Sequence, residues 1–178
     1  RATRRQRYRF HRNKAHLSRH QGKLDNALEH VRTAFALINS PERRSPAEAA
    51  ITSREHCELY CLRGRVYQIQ SDYPKAIENY EKALEFVTTN EEATKRIDIE
   101  ASLSWSHIRN KNGQRAHELS ETVISEYPRR GLRDPVLANA VARHYDSLAE
   151  LERTQNNLPK AREYFQESKN LRSLSGNI

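Results

Sequence analysis

The stretch YCLRGRVYQIQSDYPKAIENYEKA, residues 60–83, has the pattern of two amphipathic helices joined by a tight turn. Tyr60, Gly64 and Tyr67 recur every three to four residues, which places them on one face of the first helix. The second helix repeats this spacing with Ala76, Tyr80 and Ala83. Pro74 fits the first turn of that helix, because no backbone N–H is needed there. The stretch predicts a helical hairpin, and a single hairpin cannot bury its apolar faces without neighbours.

The order of large, small and aromatic residues in this hairpin resembles the tetratricopeptide repeat. Six positions of the family pattern are filled by suitable residues: Tyr60, Gly64, Tyr67, Ala76, Tyr80 and Ala83. The resemblance implies an all-α fold, an α-α solenoid of about four antiparallel helix pairs in a right-handed superhelix. It also implies a concave surface that binds a peptide or a partner protein.

Weaker copies of the pattern lie on both sides of the hairpin. We expect repeats at about residues 8–41, 46–90, 91–130 and 134–175, within a single domain over residues 1–178. One alanine position recurs in each repeat: Ala27, Ala76, Ala116 and Ala161. These alanines are 49, 40 and 45 residues apart, whereas the standard repeat has about 34 residues. Such lengthened repeats resemble those of bacterial regulatory proteins, so we expect a partner- or ligand-sensing module of a larger regulator.

Three places depart from a regular repeat. Residues 1–20 carry only a thin apolar stripe: Tyr8 or Phe10, Ala15 and Leu17. We still expect a helix there, ended near Gly22, and we expect Gly113 to mark the third hairpin turn. Residues 46–70 run for about 25 residues without a breaker inside them, which predicts a long opening helix.

The net charge of +8 is concentrated at one end of the chain. Residues 1–24 carry nine Lys or Arg and no acidic residue, so the remainder holds 22 basic and 23 acidic residues. A basic patch lies in this segment: Arg4, Arg5, Arg7, Arg9 and Arg12. With Tyr8 and Phe10 interleaved, it suits a nucleic acid or another acidic partner, which is our alternative function. The competing interpretation is a helix whose basic face is covered or neutralised by residues that precede Arg1.

In the family that the chain resembles, the groove is lined by set positions of each opening helix. Carried over to this sequence, they give a candidate peptide- or partner-binding groove: Arg12, His16, Arg65, Gln68, Trp105, Arg109, Asp146 and Glu150. Trp105 is the only tryptophan, and it would be an aromatic anchor in a concave surface. Packing of Trp105 between helices stays an open alternative. The family's clamp for a C-terminal carboxylate is absent, because its second-repeat asparagine position holds Leu62.

No motif of an enzyme active site occurs in the sequence, such as a nucleophile elbow, a phosphate-binding loop or an HExxH motif. His56, Cys57 and Cys61 lie close together, but a stable zinc site needs about four ligands. No second His/Cys pair follows at ligand spacing. We therefore expect buried structural thiols, no metal, no cofactor and no enzymatic activity.

The composition indicates a reducing compartment, because the two cysteines lie one helical turn apart, a poor frame for a stabilising disulfide. The longest apolar runs are only a few residues, too short to span a bilayer, so we expect a cytoplasmic location. The chain begins at Arg1 and contains no methionine, which indicates a fragment or a processed product.

The last predicted helix carries an apolar stripe: Leu158, Ala161, Tyr164, Phe165, Leu171 and Leu174. No further repeat follows it in this sequence. Because solenoids need polar caps, the stripe predicts self-association or coverage by residues outside this chain.

Overall fold

The structure is a computed structural model that describes residues 2–39, 46–87, 93–127 and 134–175, with only the backbone at 46–51 and 175. Within these ranges there are eight α-helices and no strand, and 87% of the described residues are helical. The helices are α1 (Arg4–His20), α2 (Leu24–Ile38), α3 (Pro46–Ile69), α4 (Tyr73–Leu84), α5 (Ala93–Arg109), α6 (Gly113–Glu126), α7 (Pro135–Thr154) and α8 (Leu158–Ser175). The predicted all-α fold is confirmed, including the long opening helix, which spans 24 residues in α3.

The chain divides into two compact units, Arg1–Thr88 and Thr89–Ile178. In the first unit α1 pairs with α2 and α3 with α4, and α2 packs on α3. In the second unit α5 pairs with α6 and α7 with α8, and both α5 and α6 pack on α7. Each unit therefore contains two helical hairpins. None of the helices in the described ranges is long and apolar enough to cross a membrane.

All four hairpins turn with the same backbone geometry. One residue in each turn has a positive φ of 61–72° and lies two positions before the next helix: Gly22, Ser71, Lys111 and Asn156. In the second turn the N–H of Ser71 donates to the Gln68 carbonyl at 3.2 Å, and that of Asp72 donates to the Tyr67 carbonyl at 2.9 Å. The other three turns repeat this pair of bonds. The bonds satisfy carbonyls that the ending helix leaves without a partner, so each turn is a Schellman motif.

Two glycines owe their place to close packing rather than to backbone freedom. The expectation that Gly113 is the turn glycine was wrong in detail, because Lys111 has the left-handed conformation and Gly113 is the first residue of α6. A Cβ added at Gly113 would lie 2.7 Å from Cδ1 of Leu151. At Gly64 an added Cβ would lie 2.9 Å from Cε1 of Tyr80, which confirms the predicted approach of a neighbouring helix.

Each unit has its own apolar core. The first is formed by Tyr8, Ala15, Val31, Ala34, Ile38, Leu59 and Leu62. The main cluster in the second is formed by Ile97, Val123, Ala138, Ala140, Val141, Ala142 and Leu171. Cys57 and Cys61 are buried thiols, as expected.

The apolar stripe predicted for α1 was partly wrong. Tyr8 and Ala15 are buried, whereas Phe10 is 55% exposed and Leu17 is 48% exposed. Residues seven apart share a helix face, so the Tyr8–Ala15 pair faces the core and the Phe10–Leu17 pair lies on the other side of the helix. Thr3 begins this helix with a capping box, in which its hydroxyl accepts from the Gln6 N–H.

Candidate peptide-binding surfaces

The eight predicted groove residues are divided equally between the two compact units. The first unit holds Arg12, His16, Arg65 and Gln68, and the second holds Trp105, Arg109, Asp146 and Glu150. All eight lie on opening helices, α1 and α3 in the first unit and α5 and α7 in the second.

Arg12 links the two opening helices of the first unit. Its Nη1 donates to Oε2 of Glu58 on α3 at 2.9 Å, and the two side chains are 30% and 36% exposed. Its guanidinium also lies 5.9 Å from the ring centroid of the buried Tyr8. The ion pair and the ring contact therefore restrain Arg12 instead of leaving it extended into solvent.

His16 lies among basic side chains on the same helix face. Arg12, His16 and Arg19 are separated by four and three residues, a spacing that aligns them along α1. Burial lowers the pKa of His16, and the charges of Arg19, Arg12, Arg65 and His20 lower it further. Burial and the surrounding positive charge therefore both favour the neutral imidazole over the charged form.

Arg19 continues the helical spacing of Arg12 and His16 along α1. Its Nη2 lies 2.7 Å from Nε2 of His20, which therefore accepts a hydrogen bond. Its Nε is buried and has no hydrogen-bond partner among the described residues. Burial and the charge of Arg65 both lower the pKa of Arg19, so the two guanidinium groups lie close enough to repel one another.

Gln68 is held by the closing helix of its own hairpin. The hydroxyl of Tyr80 donates to Oε1 of Gln68 at 3.3 Å. Tyr80 is 1% exposed and its ring lies against Gly64. The close packing at Gly64 thus places the tyrosine hydroxyl at the end of α3 that carries Arg65 and Gln68.

In the second unit the acidic groove residues are bound within the unit. Asp146 accepts hydrogen bonds from Ser168 Oγ at 2.6 Å and from Arg172 Nη1 at 3.2 Å, both on α8. Glu150 is 7% exposed and accepts two hydrogen bonds of 2.7 Å from Arg153. The hydrogen bonds and charge of Arg153 lower the pKa of Glu150, and the charge of Arg109 adds a smaller contribution in the same direction.

Asp98, at a further groove position of the family pattern, is also paired. Its carboxylate accepts from Nη1 of Arg143, and Nη2 of Arg143 donates to Ser102 Oγ at 2.9 Å. Trp105 is partly buried, and Arg109 at the end of the same helix is exposed. Trp105 is thus neither fully buried nor fully exposed.

The predicted basic patch is divided by the fold. Nε of Arg4 donates to the Leu37 carbonyl at the end of α2, and Arg12 pairs with Glu58. The other three arginines are exposed: Arg5, Arg7 and Arg9. Phe10 is exposed beside them, with Nζ of Lys14 at 5.8 Å from its ring centroid.

A buried polar network in the second unit was not found from the sequence. Oγ of Ser120 lies 2.9 Å from Oγ of Ser104 and 3.3 Å from Nδ1 of His144. Nε2 of His144 lies 3.0 Å from the Ile97 carbonyl oxygen, so it carries the proton and donates. Burial lowers the pKa of His144 to about 4. The network is structural, since its histidine is fully buried.

Nothing in the described part of the chain has the arrangement of a metal centre. Within those ranges, no group of three or more His, Cys, Asp or Glu side chains is placed to hold an ion.

Comparison with known proteins supports the architecture. Residues 57–86 match the family model of the tetratricopeptide repeat. Among solved structures, the crystal structure of MamA, a tetratricopeptide-repeat protein, is similar with a TM-score of 0.50. The match has 15% identity and covers 92% of this chain and 97% of the MamA chain. A search of curated proteins found no similar sequence. Residues 57–86 are therefore a tetratricopeptide repeat, and the chain has the fold of a tetratricopeptide-repeat protein.

Proposed function

We propose that the chain is a protein-interaction scaffold that binds a peptide or partner protein through its opening helices. The observation that carries this proposal is the surface of α1 and α3, where His16 and Arg65 lie half-buried and Arg12 is held by Glu58. Side chains that are already restrained lose less conformational entropy when a partner binds, so they contribute more of their contact energy to affinity. The tetratricopeptide repeat in residues 57–86 supports the same function.

We further propose that the scaffold is the partner-sensing module of a larger cytoplasmic regulator. The lengthened repeats support this role, since their alanine positions are 40 to 49 residues apart. The partly accessible Trp105 supplies an aromatic side chain of the type that dominates many interfaces.

The test is a partner captured from cell extract and then measured against variants. Trp105→Ala and Arg65→Ala should each weaken binding by about 2 kcal/mol or more while the helical circular dichroism signal is retained. Arg32→Ala and Arg162→Ala are matched controls, because both arginines are exposed and lie on the closing helices α2 and α8. If both groove variants bind the partner with unchanged affinity, and if deleting residues 1–14 abolishes binding, the binding site lies in the basic N-terminal segment.

The alternative function, binding of a nucleic acid at the basic end, is favoured by one observation. Exposed Phe10 lies beside exposed Arg7 and Arg9, so charge and a stacking surface occur together. Single-stranded oligonucleotide binding should then weaken steeply with rising salt and should be lost in a variant with Gln at positions 5, 7 and 9. A variant with Gln at positions 32, 162 and 169 loses the same charge from α2 and α8 and should bind normally.

A further inference from the structure

The exposed side of α1 carries a pair of large apolar side chains. Phe10 is 55% exposed and Leu17 is 48% exposed. Their spacing of seven residues places both on one face of the helix, about 10 Å apart along its axis. The opposite face is already packed, because Tyr8 and Ala15 lie in the core of the first unit. The side of α1 that carries Phe10 and Leu17 is called here the outer face.

Basic side chains flank the apolar pair on both sides. Arg7 lies three residues before Phe10 and Lys14 four residues after it, so the helical rotation of about 100° per residue places both on the same side of the pair. Arg9, one residue before Phe10, lies on the other side. All three cations are exposed. None of them forms an ion pair with another residue that the structure describes.

This charge is not balanced within the helix. Residues 1–24 contain no Asp or Glu, so the helix itself supplies no carboxylate to these cations. Nζ of Lys14 lies 5.8 Å from the ring centroid of Phe10, which brings a positive charge directly beside the apolar pair. The outer face therefore combines an apolar stripe with flanking positive charge in the described part of the first unit.

A second helix is the structure that fits such a face. On the packed side of α1, Tyr8 and Ala15 have the same spacing of seven residues and are covered by apolar residues of α2 and α3. A helix with its own apolar stripe can lie along Phe10 and Leu17 in the same way. Carboxylates beside that stripe would then meet the flanking cations of α1.

We propose that the outer face of α1 binds an amphipathic helix of a partner protein, whose apolar stripe is flanked by Asp and Glu. The proposal rests on the proposed scaffold function and adds a second contact surface to it. The two surfaces are distinct, because Arg12 lies two residues after Phe10 and so points to nearly the opposite side of α1.

Other occupants fit the outer face less well. A nucleic acid would stack on Phe10, but Leu17 offers no ring for a second base. A membrane would meet only two apolar side chains, because the packing of Tyr8 and Ala15 prevents α1 from turning a wider apolar face to the lipid. Two copies of the same face would repel one another through their flanking cations.

The test measures fluorescence anisotropy of a labelled peptide with the full chain. The peptide has about 18 residues, or five helical turns, with leucine along one face and glutamate on both sides of that face. One control peptide has the same composition in scrambled order, and a second has lysine in place of glutamate. We expect the acidic helical peptide to bind best and to bind more weakly as the salt concentration rises.

The apolar contribution is tested by replacing Phe10 and Leu17 together with Gln. The Kd of the acidic peptide should rise about tenfold or more, because apolar side chains at the centre of an interface carry most of its affinity. The matched control replaces Ile69 and Val136 with Gln, which are 52% and 67% exposed and lie on other helices. The control should change the Kd less than about twofold. Circular dichroism should show the same helix content in both variants, since all four side chains are exposed.

The charge contribution is tested by replacing Arg7 and Lys14 together with Gln. The Kd should rise about threefold at low salt and less at high salt, because exposed charges are screened. Replacing Arg32 and Arg162 with Gln removes the same charge from exposed positions on α2 and α8 and should have a smaller effect.

A second readout locates the peptide by NMR. Saturation with the acidic peptide should shift the ring signals of Phe10 and the methyl signals of Leu17. The methyl signals of Ile69, at the end of α3, should stay where they are.

Four outcomes would overturn the proposal. Equal binding of the scrambled peptide or the lysine peptide would show that neither a helical stripe nor acidity is recognised, and equal weakening by the apolar variant and its control would place the peptide elsewhere. Tighter binding of a ten-nucleotide oligothymidine or of phosphatidylserine vesicles, with the same dependence on Phe10 and Leu17, would assign the face to nucleic acid or membrane. If the acidic peptide does not bind but Arg65→Ala still weakens the captured partner, the helix-docking proposal fails while the scaffold function stands.

Discussion

At the scale of single residues, burial determines the chemistry of His144. Its ring is enclosed in the core of the second unit, with both nitrogens in hydrogen bonds. Because water cannot solvate a charged imidazolium there, the ring is neutral in the folded protein at pH 7. The same side chain in the unfolded chain has a pKa of about 6.5, whereas the folded value is about 4.

This difference makes stability depend on pH. Between pH 6.5 and 4 the unfolded chain binds more protons than the folded chain at His144, so the free energy of unfolding falls as the pH falls through this window. The contribution is fully present above pH 6.5, and about 2 kcal/mol of it should be lost at pH 5. Urea unfolding at pH 7 and pH 5 measures the change.

The matched variants are His144→Gln and His117→Gln, since His117 lies on the partly exposed side of α6. His144→Gln should be less stable at pH 7 but should lose about 2 kcal/mol less than the parent chain on acidification. His117→Gln should follow the parent. Parallel pH profiles for all three proteins would show that His144 does not titrate as burial requires.

The absence of a side chain at Gly64 lets the Tyr80 ring of α4 pack closely against α3. A Cβ there would lie 2.9 Å from the Tyr80 ring, closer than side chains pack. Gly64→Leu should therefore lower the free energy of unfolding by about 1–3 kcal/mol or more. Gly64→Ala, which adds only the Cβ, should cost less. A denaturation midpoint that is the same for Gly64→Leu and the parent would mean that the repeat register is wrong.

At the scale of elements, the hairpin turn is the feature that all four helix pairs share. Each turn needs one left-handed residue, and only the first turn supplies a glycine for it. For a residue with a Cβ, the left-handed conformation costs about 1–2 kcal/mol. The other three turns have Ser71, Lys111 and Asn156 in this conformation. The two hydrogen bonds of the motif and the packing of the flanking helices stabilise these turns against the strain.

The strain can be measured at Lys111, an exposed residue with φ of 61°. Lys111→Gly should raise the free energy of unfolding by about 1 kcal/mol, because glycine adopts the left-handed conformation without a clash. Lys111→Ala keeps the Cβ and should give no such gain. Gly22→Ala is the reverse experiment and should destabilise the first turn by a similar amount. Equal stability of the Gly and Ala variants at position 111 would contradict the argument.

At the scale of the whole molecule, the last helix leaves apolar surface uncovered. Leu158 is 49% exposed and Phe165 is 45% exposed, and their spacing of seven residues places both on one face of α8. Ala161 and Leu171 of the predicted stripe are buried within the unit. Leu174 is 45% exposed but lies sixteen residues after Leu158, on nearly the opposite side of the helix.

Self-association through this face remains a prediction. Sedimentation velocity over a range of concentrations should show reversible association of the parent chain, and Phe165→Asp should remove it, because a carboxylate cannot be buried there without a partner. Leu174→Asp introduces the same charge at an equally exposed leucine of the predicted stripe that lies away from the Leu158–Phe165 face, and this variant should associate normally. A parent chain that stays monomeric at high concentration would refute the prediction.

The helices and their pairing are determined by the sequence itself. Periodic apolar residues, a proline in the first turn of α4 and small residues at helix contacts are local signals, which act between residues a few positions apart. They sufficed to predict the eight helices, the repeat in residues 57–86 and the close packing at Gly64. The register of α1 was less certain from sequence, because Tyr8 and Phe10 are both aromatic and only packing against α2 and α3 selects Tyr8 for the core.

Only the tertiary structure decided which charged side chains are paired within the fold. The groove positions were predicted as one set, yet Asp146 is bound by Arg172 and Glu150 by Arg153. Nε of Arg19, by contrast, is buried with no hydrogen-bond partner among the residues that the structure describes. The physical reason is that ion pairs, burial and pKa depend on neighbours brought together by folding, often dozens of residues apart in sequence. Helix periodicity carries no information about those neighbours, because it specifies only which face of a helix a residue occupies.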